Sequence, residues 1–492
     1  MLQKKETVLL LGKHKYIYLG MIVIYLLSRV YVFHTLVSTQ DIFASWQLLD
    51  RIWLQNTLFE SLYYLHSNPP FFNLLAGMCV KWFPEDYVTV LEWLYLTMGL
   101  AVYMMMYRIL LFFKVPVWGA LLMSTLYIVS PEALLYERWI SPVWIDTFLL
   151  MSASFTLVMY GEKRHLVYLF LFFGVITLLM ITSSTFSLLY LAGLVILIGI
   201  MYQKMWKYVV LFSFVPLLAV VTIYTKNENQ FGFWGSSSLS GVQMVKKAAY
   251  ATLEHPLDRV LSMTEKEKQK EVKASWEELR HEGKIESLQY MTGVQTMKVC
   301  QSPEEMVPAR YGKISALSEP FKHNGECNMN YYHYVQQSKQ IREDVFTVWM
   351  RYPEGYLRTV VIAMMDYFRP VWDTAAVNTN RERLHGYVKL FDLGELGGTY
   401  MGQYGLFFIL LMFLSLLFVI GYTIRLLGRK RQKRATVALF MLYTIYFVLI
   451  SGILLRIDGL NQMRVMTDPL LYILTVAGLT ALLRFVFLKR TA

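Results

Sequence analysis

Residues 69–84 read PPFFNLLAGMCVKWFP, Pro69 to Pro84. How this stretch is read decides the fold. It is apolar enough to suggest a membrane span. It is also short of the ~20 residues that ~30 Å of hydrocarbon requires, and it opens with two prolines. We read it as a helix lying in, or dipping into, the outer membrane interface. If it crossed instead, every later loop would change sides, and the basic run at 425–434 would lie outside.

Working outward, apolar runs of membrane-spanning length lie at 16–36, 89–112, 117–135, 144–161, 166–182, 185–202, 207–224, 404–424, 436–455 and 468–487. That predicts ten transmembrane helices. The first run is too long for a cleavable signal peptide and no small-residue cleavage site follows it. Alternate loops then hold Lys4, Lys5, Lys13, Lys15, Arg108, Lys114, Lys163, Arg164, Lys204, Lys207, the cluster at 425–434, Arg484, Lys489 and Arg490. The short loops opposite hold only Arg51, Lys81, Arg138, Arg456 and Arg464. The positive-inside rule therefore puts both termini in the cytoplasm.

Composition agrees. Of 492 residues 56% are hydrophobic and 17% charged, against about 45–50% and about 25% in soluble domains. A soluble enzyme, a disordered protein and a disulfide scaffold are excluded. The net charge of +12 raises the question of nucleic acid. Its location answers it. The polar insertion 225–403 has 22 basic and 22 acidic residues, so the excess lies in the membrane part, mostly in the inner loops. It is a topology signal, and no nucleic-acid partner is expected.

The expected fold is an α-helical polytopic membrane protein. Residues 1–224 form an N-terminal transmembrane module whose first outer loop, 37–88, carries juxtamembrane helices. Residues 225–403 form a mostly helical extracytoplasmic domain between spans 7 and 8. Residues 404–492 supply the last helices. Within the insertion, Thr264–Ser287 reads as a solvated charged helix with Glu and Lys at i,i+4 spacings. Residues 354–367 read as a helix resting on the membrane surface. Cys300 and Cys327 fall in this domain and could form a disulfide or remain buried thiols.

The predicted spans are clean, which argues against a transporter with a polar mid-plane path. Arg29 is the main exception, either paired within the bundle or anchoring a lipid phosphate. Unusual polar residues gather instead at the outer ends of spans. They are Asp41 and Asp50; His66 and Asn68 before Pro69–Pro70; Glu137 and Arg138, with Asp146 beyond; Lys226 and Asn227; and Arg456, Asp458, Asn461 and Arg464. Acids there could deprotonate a hydroxyl or bind a metal, and Arg and Lys could hold a phosphate. Each has a plainer reading. Asp41 could cap a helix, Asn68 could start one, Glu137–Arg138 could be an ion pair, and Arg456 and Arg464 could anchor headgroups.

The order of these elements resembles the glycosyltransferase C superfamily, nearest the branch with protein mannosyltransferases and aminoarabinose transferases (family 39-type). Asp41 follows span 1 as that branch's acid does. Ser67-Asn68-Pro69-Pro70-Phe71-Phe72 resembles its His- or Lys-Pro-Pro step, with Asn68 in the basic position and His66 two residues earlier. Ser130-Pro131 precedes Glu137-Arg138. Lys226-Asn227, Phe231-Gly232, Ser237-Ser238 and Gly241 resemble the start of the outer domain in bacterial members. Asn461-Gln462-Met463-Arg464, followed by Asp468-Pro469, resembles the last outer loop.

The resemblance implies transfer of a sugar from a polyprenyl-phosphate donor to a glycan, lipid or protein acceptor at the outer face of a bacterial plasma membrane. It makes Asp41 the base, or the ligand of an assisting divalent metal, with Glu137 and Asp50 as further acids. Arg138, Lys226, Arg464 and His66 become candidates for the donor phosphate, and Asn68, Asn227, Asp458 and Asn461 further site residues. The rival readings are a flippase of a lipid-linked glycan and an inert membrane scaffold.

Overall fold

A computed structural model describes residues 2–36, 41–285, 307–369, 383, 400–401, 404–428, 432–457 and 459–488. The chain is an α-helical integral membrane protein. Helix α1 is Leu2–Thr35. The first outer loop folds into a short 3-10 turn, Ile42–Ala44, and helices α2 (Arg51–Asn56), α3 (Leu58–Tyr63) and α4 (Phe71–Trp82). The membrane bundle continues with α5 (Tyr87–Phe112), α6 (Val117–Ile128), α7 (Pro131–Arg138), α8 (Pro142–Lys163), α9 (Leu166–Thr182), α10 (Leu188–Met201) and α11 (Trp206–Phe231). The insertion that the sequence reading places outside, the outer unit, carries α12 (Ser240–Ala251), α13 (Leu257–Ser262), α14 (Glu265–His281), α15 (Ser315–Ser318), α16 (His333–Arg351) and α17 (Pro353–Phe368). The chain ends in α18 (Leu406–Gly428), α19 (Gln432–Leu455), α20 (Leu460–Val465) and α21 (Asp468–Leu488). The described strands are two residues each, Tyr400–Met401 and Tyr404–Gly405.

Six described helices are long and apolar enough to cross a membrane, and the bent pair α6–α7 would make a seventh. The most buried is α8, against which α5, α9 and α19 pack. At the edge, α1 turns Leu19, Val23, Leu27 and Val30 outward. Exposed apolar residues along a helix whose own backbone is satisfied suit hydrocarbon, not water.

Three boundaries differ from the sequence reading, each for a local reason. The run 117–135 breaks and bends by 50°. Ser130 caps α7, accepting from the Ala133 amide at 3.3 Å, and Pro131 takes the first-turn position where no amide is needed. The run 185–202 starts helix only at Leu188, because Ser183, Ser184, Thr185 and Ser187 favour turns over helix interiors. The run 207–224 continues to Phe231 and stops at Gly232, which takes φ 72°. Lys226 and Asn227 therefore sit on a helix rather than in a loop.

At 1.5 Å per residue, α9 (17 residues) and α10 (14 residues) reach only about 25 and about 21 Å. The connection between them lines a cavity where the bundle meets the helices of the insertion.

The outer helices have their own core, in which Val245, Ala248, Val260, Val272, Trp276, Leu279, Ile341 and Val345 are buried. The stripe Val272, Trp276 and Leu279 docks one face of α14, so that helix is solvated on its other faces only. Thr264 and Glu267 close its first turn as a capping box. Two close crossings fix this unit. A Cβ on Gly241 would lie 2.1 Å from the Ser338 carbonyl oxygen of α16, and one on Gly355 would lie 1.9 Å from the Ala251 carbonyl oxygen. Helix α17 packs on α12, α19 and α20 and leaves Leu357 and Val361 exposed.

Candidate functional site

Where the outer unit meets the bundle, a cavity of about 580 Å³ opens. Five parts of the chain wall it. The first outer loop supplies Asp41, Ala44 to Gln47, Asn68, Pro69 and Asn73. The α7–α8 connection and first turns of α8 supply Trp139, Ile140 and Asp146, and the α9–α10 connection supplies Thr182 to Thr185. The outer unit adds Gln243, Glu326 and Cys327, and the stretch after α19 adds Arg456, Gln462 and Met466.

Each polar side chain is placed by local structure. Asp41 caps the 3-10 turn, its Oδ1 accepting from the Phe43 amide at 2.9 Å. Its Oδ2 accepts from Asn324 Nδ2 at 2.8 Å. Asn68 and Pro69 lead into α4. Asn73 on α4 ties the loop down, accepting from the Leu49 amide at 2.8 Å and donating to the Gln47 carbonyl at 2.9 Å. Asp146 projects from α8 and is 2% exposed; its Oδ1 has no hydrogen-bond partner among the described residues. Arg456 donates to Gln243 Oε1 at 2.8 Å. Lys247, fully buried, donates to the Ile453 and Arg456 carbonyls that end α19. Burial pushes that lysine down to about 8. Three carboxyl groups, Asp41, Asp146 and Glu326, thus line the cavity, and Arg456 is the one basic side chain among the described lining residues.

A second cavity of about 640 Å³ adjoins the first. Leu189 of α10 and Tyr443, Tyr446, Phe447, Ile450 and Leu454 of α19 give it an apolar wall. Leu189, Ile450 and Leu454 are also exposed, so this wall opens sideways where lipid would be. Lys339 and Arg342 of α16 and the serines 236–238 stand at its polar end. Ser184, Thr185, Gln243, Arg456 and Met463 line both cavities.

The candidates from the sequence divide. Asp41 and Asn68 line the first cavity. The remaining described ones do not. Asp50 caps α2, accepting from the Ile52 amide at 2.7 Å, and also accepts from the His323 amide at 2.7 Å. His66 is fully buried; its Nδ1 lies 2.7 Å from Ser238 Oγ. Burial, with Lys226 close by, pushes its imidazole down to about 3, so it is neutral and ill suited to hold a phosphate. Glu137 is buried against Arg29, with contacts of 2.8 and 2.7 Å, and accepts from Tyr25 at 2.9 Å. Arg29 is therefore paired inside the bundle. Arg138 pairs with Glu92 at 3.3 Å. Lys226 donates to the Leu65 carbonyl at 2.5 Å, and Asn227 to the Gly235 carbonyl at 2.6 Å. Arg464 bonds Asp468 at 3.1 Å and the Tyr367 carbonyl at 2.8 Å. Asn461 is buried and accepts from the Gln462 amide. Asp458 lies outside the described residues.

Four residues gain prominence over their sequence ranking. Asp146 and Arg456 stood in the outer-end clusters but were not singled out. Gln243 and Glu326 carry no sequence signal of their own. Of the cysteines, Cys327 is disulfide-bonded, Cys79 is a buried free thiol and Cys300 lies outside the described residues. Among the described residues no three of His, Cys, Asp or Glu come together as metal ligands. Among the described residues the cavity therefore offers no ligand set for the divalent metal that the resemblance allows.

No protein family, no curated protein and no solved structure matches this chain.

Proposed function

We propose that this protein is a membrane glycosyltransferase that moves a sugar from a polyprenyl-phosphate donor to an acceptor hydroxyl. The observation that supports it best is the shared rim of the two cavities. A polar, acid-bearing chamber meets a sideways-open apolar groove at a single arginine, Arg456. A lipid-linked sugar phosphate has the same three parts in the same order. The tail would lie along Leu189, Tyr446, Ile450 and Leu454. The phosphate would meet Arg456, with Lys339 and Arg342 beyond. The sugar would enter the chamber between Trp46, Trp139, Asn68 and Gln462.

The chemistry follows from charge. The acceptor oxygen attacks the anomeric carbon while the bond to the phosphate oxygen breaks. Asp41 takes the hydroxyl proton, and Asp146 is the alternative base. The products are the glycosylated acceptor and the free polyprenyl phosphate, whose developing charge Arg456 offsets. Direct displacement inverts the anomeric centre. We place the chamber on the extracytoplasmic face, with ten membrane crossings and both termini inside. That count takes α9, α10 and α18 as crossings and α4 as interfacial.

The test is transfer from a polyprenyl-phosphate hexose series by purified protein, comparing wild type with Asp41→Asn and Asp146→Asn. One of the two substitutions should abolish transfer while leaving thermal stability within a few degrees. Full activity in both would remove this reading.

A further inference from the structure

The first outer loop is held by a short hairpin that comes much later in the chain. Phe321 and Cys327 pair as an antiparallel bridge, the Lys322 amide donates to the Glu326 carbonyl at 2.8 Å, and Gly325 takes the left-handed turn position at φ 82°. Four hydrogen bonds and a 3.1 Å contact of His323 Nδ1 with Asp50 run from this hairpin to the loop. Lys322, 3% exposed, donates to the Phe43 and Ser45 carbonyls, both at 2.8 Å. The His323 amide donates to Asp50, and Asn324 Nδ2 donates to Asp41 Oδ2. Glu326 and Cys327 then face the chamber itself.

We infer that Asn324 is a positioning residue for the Asp41 carboxylate, a role resting on the transferase reading. The geometry is directional. Asn324 Oδ1 accepts from the Glu326 amide at 3.1 Å, which fixes the amide plane and leaves Nδ2 to face Asp41. Asp41 is thereby held at both oxygens, Oδ1 by its own turn and Oδ2 by the hairpin. Each carboxylate oxygen accepts more than one hydrogen bond, so capacity remains on the chamber side for an acceptor hydroxyl. A base fixed in one rotamer keeps its reactive lone pair aimed, and that is what pre-organised catalysis requires. The outer unit therefore completes the site and does not merely cover it.

Carbodiimide labelling of carboxyl groups, read peptide by peptide by mass spectrometry, tests this on the full-length protein in detergent. Asn324→Ala should speed labelling of Asp41 roughly tenfold, the scale of one hydrogen bond to a charged group. Exposed carboxyls elsewhere, such as Glu354, should keep their rates. Asn324→Gln should recover most of the slow rate. Asn324→Asp keeps the acceptor for the Glu326 amide but loses the donor, and should label as Asn324→Ala does. Thermal unfolding confirms that each variant folds. Wild-type labelling of Asp41 in both Asn324→Ala and Asn324→Asp overturns the positioning role. Added farnesyl phosphate separates the two ideas. If it fails to protect Arg456 from phenylglyoxal in the wild type, the donor assignment falls and the positioning role stands on its own result.

Discussion

Arg456 donates to Gln243 at 2.8 Å, and these two residues both border the polar chamber and the apolar groove. One comes from the end of α19, the other from α12. The contact joins bundle and outer unit at the point where a lipid-linked phosphate would sit. Arg456→Ala should lower transfer by about 10²-fold or more, the usual cost of losing one charge-stabilising group. Gln243→Ala, which removes one acceptor and keeps the positive charge, should cost less. Turnover with a polyprenyl-phosphate hexose checks both. Equal losses would mean that Gln243 acts on the substrate directly.

Glu137 behaves differently. It is held by Arg29 and Tyr25, and a Cβ on Gly99 would lie 2.1 Å from its Oε2. Breaking a buried pair by removing one partner typically costs about 3–5 kcal/mol. Glu137→Gln and Gly99→Val should therefore lower the unfolding temperature sharply, with lost activity following lost protein. A stable but inactive Glu137→Gln would instead return Glu137 to the chemistry.

His66 sets a pH dependence of stability. Its folded value of about 3 lies below the unfolded value of about 6.5. Between the two, the unfolded chain takes up a proton and the folded chain does not. The contribution is complete above pH 6.5 and is lost as pH falls towards 3, amounting to about 2 kcal/mol by pH 5. His66→Asn, which can still bond Ser238, should flatten that acid slope. Thermal melts from pH 7 to pH 5 measure it.

Gly241 tests the outer unit. Any side chain there meets the backbone of Ser338, which cannot swing away. Gly241→Ala should part α12 from α16 and shift Gln243 with it. Hydrogen exchange should then rise across 240–251 and 333–351 while the membrane helices keep their protection.

The helices were readable because membrane spans are long, apolar and repeated. The ends were less readable. Nothing in a hydropathy window shows that Ser130 caps a new helix or that Ser183 to Ser187 stay unwound. The site was legible only in part. Asp41 and Asn68 announce themselves as polar residues beside a span end. So do Lys226, Glu137 and Arg464, yet these turn inward to Leu65, Arg29 and Asp468. Whether an outer-end charge meets substrate or protein depends on helix rotation, which one residue more or less changes by about 100°. Gln243, Asn324 and Glu326 come from a polar domain where such residues are ordinary, so only folding picks them out.

The hairpin has a consequence for how the protein is made. Asp41 and Asn324 are 283 residues apart. At about 5–20 residues per second, roughly 15–60 s of synthesis separate them. Through that time the early spans can insert and pack, while Asp41 lacks the contact that fixes its second oxygen. Arg456 arrives later still. The chain therefore enters the membrane with its chamber incomplete and closes it only near the end of translation, and any truncation before residue 322 leaves the first outer loop without its holder.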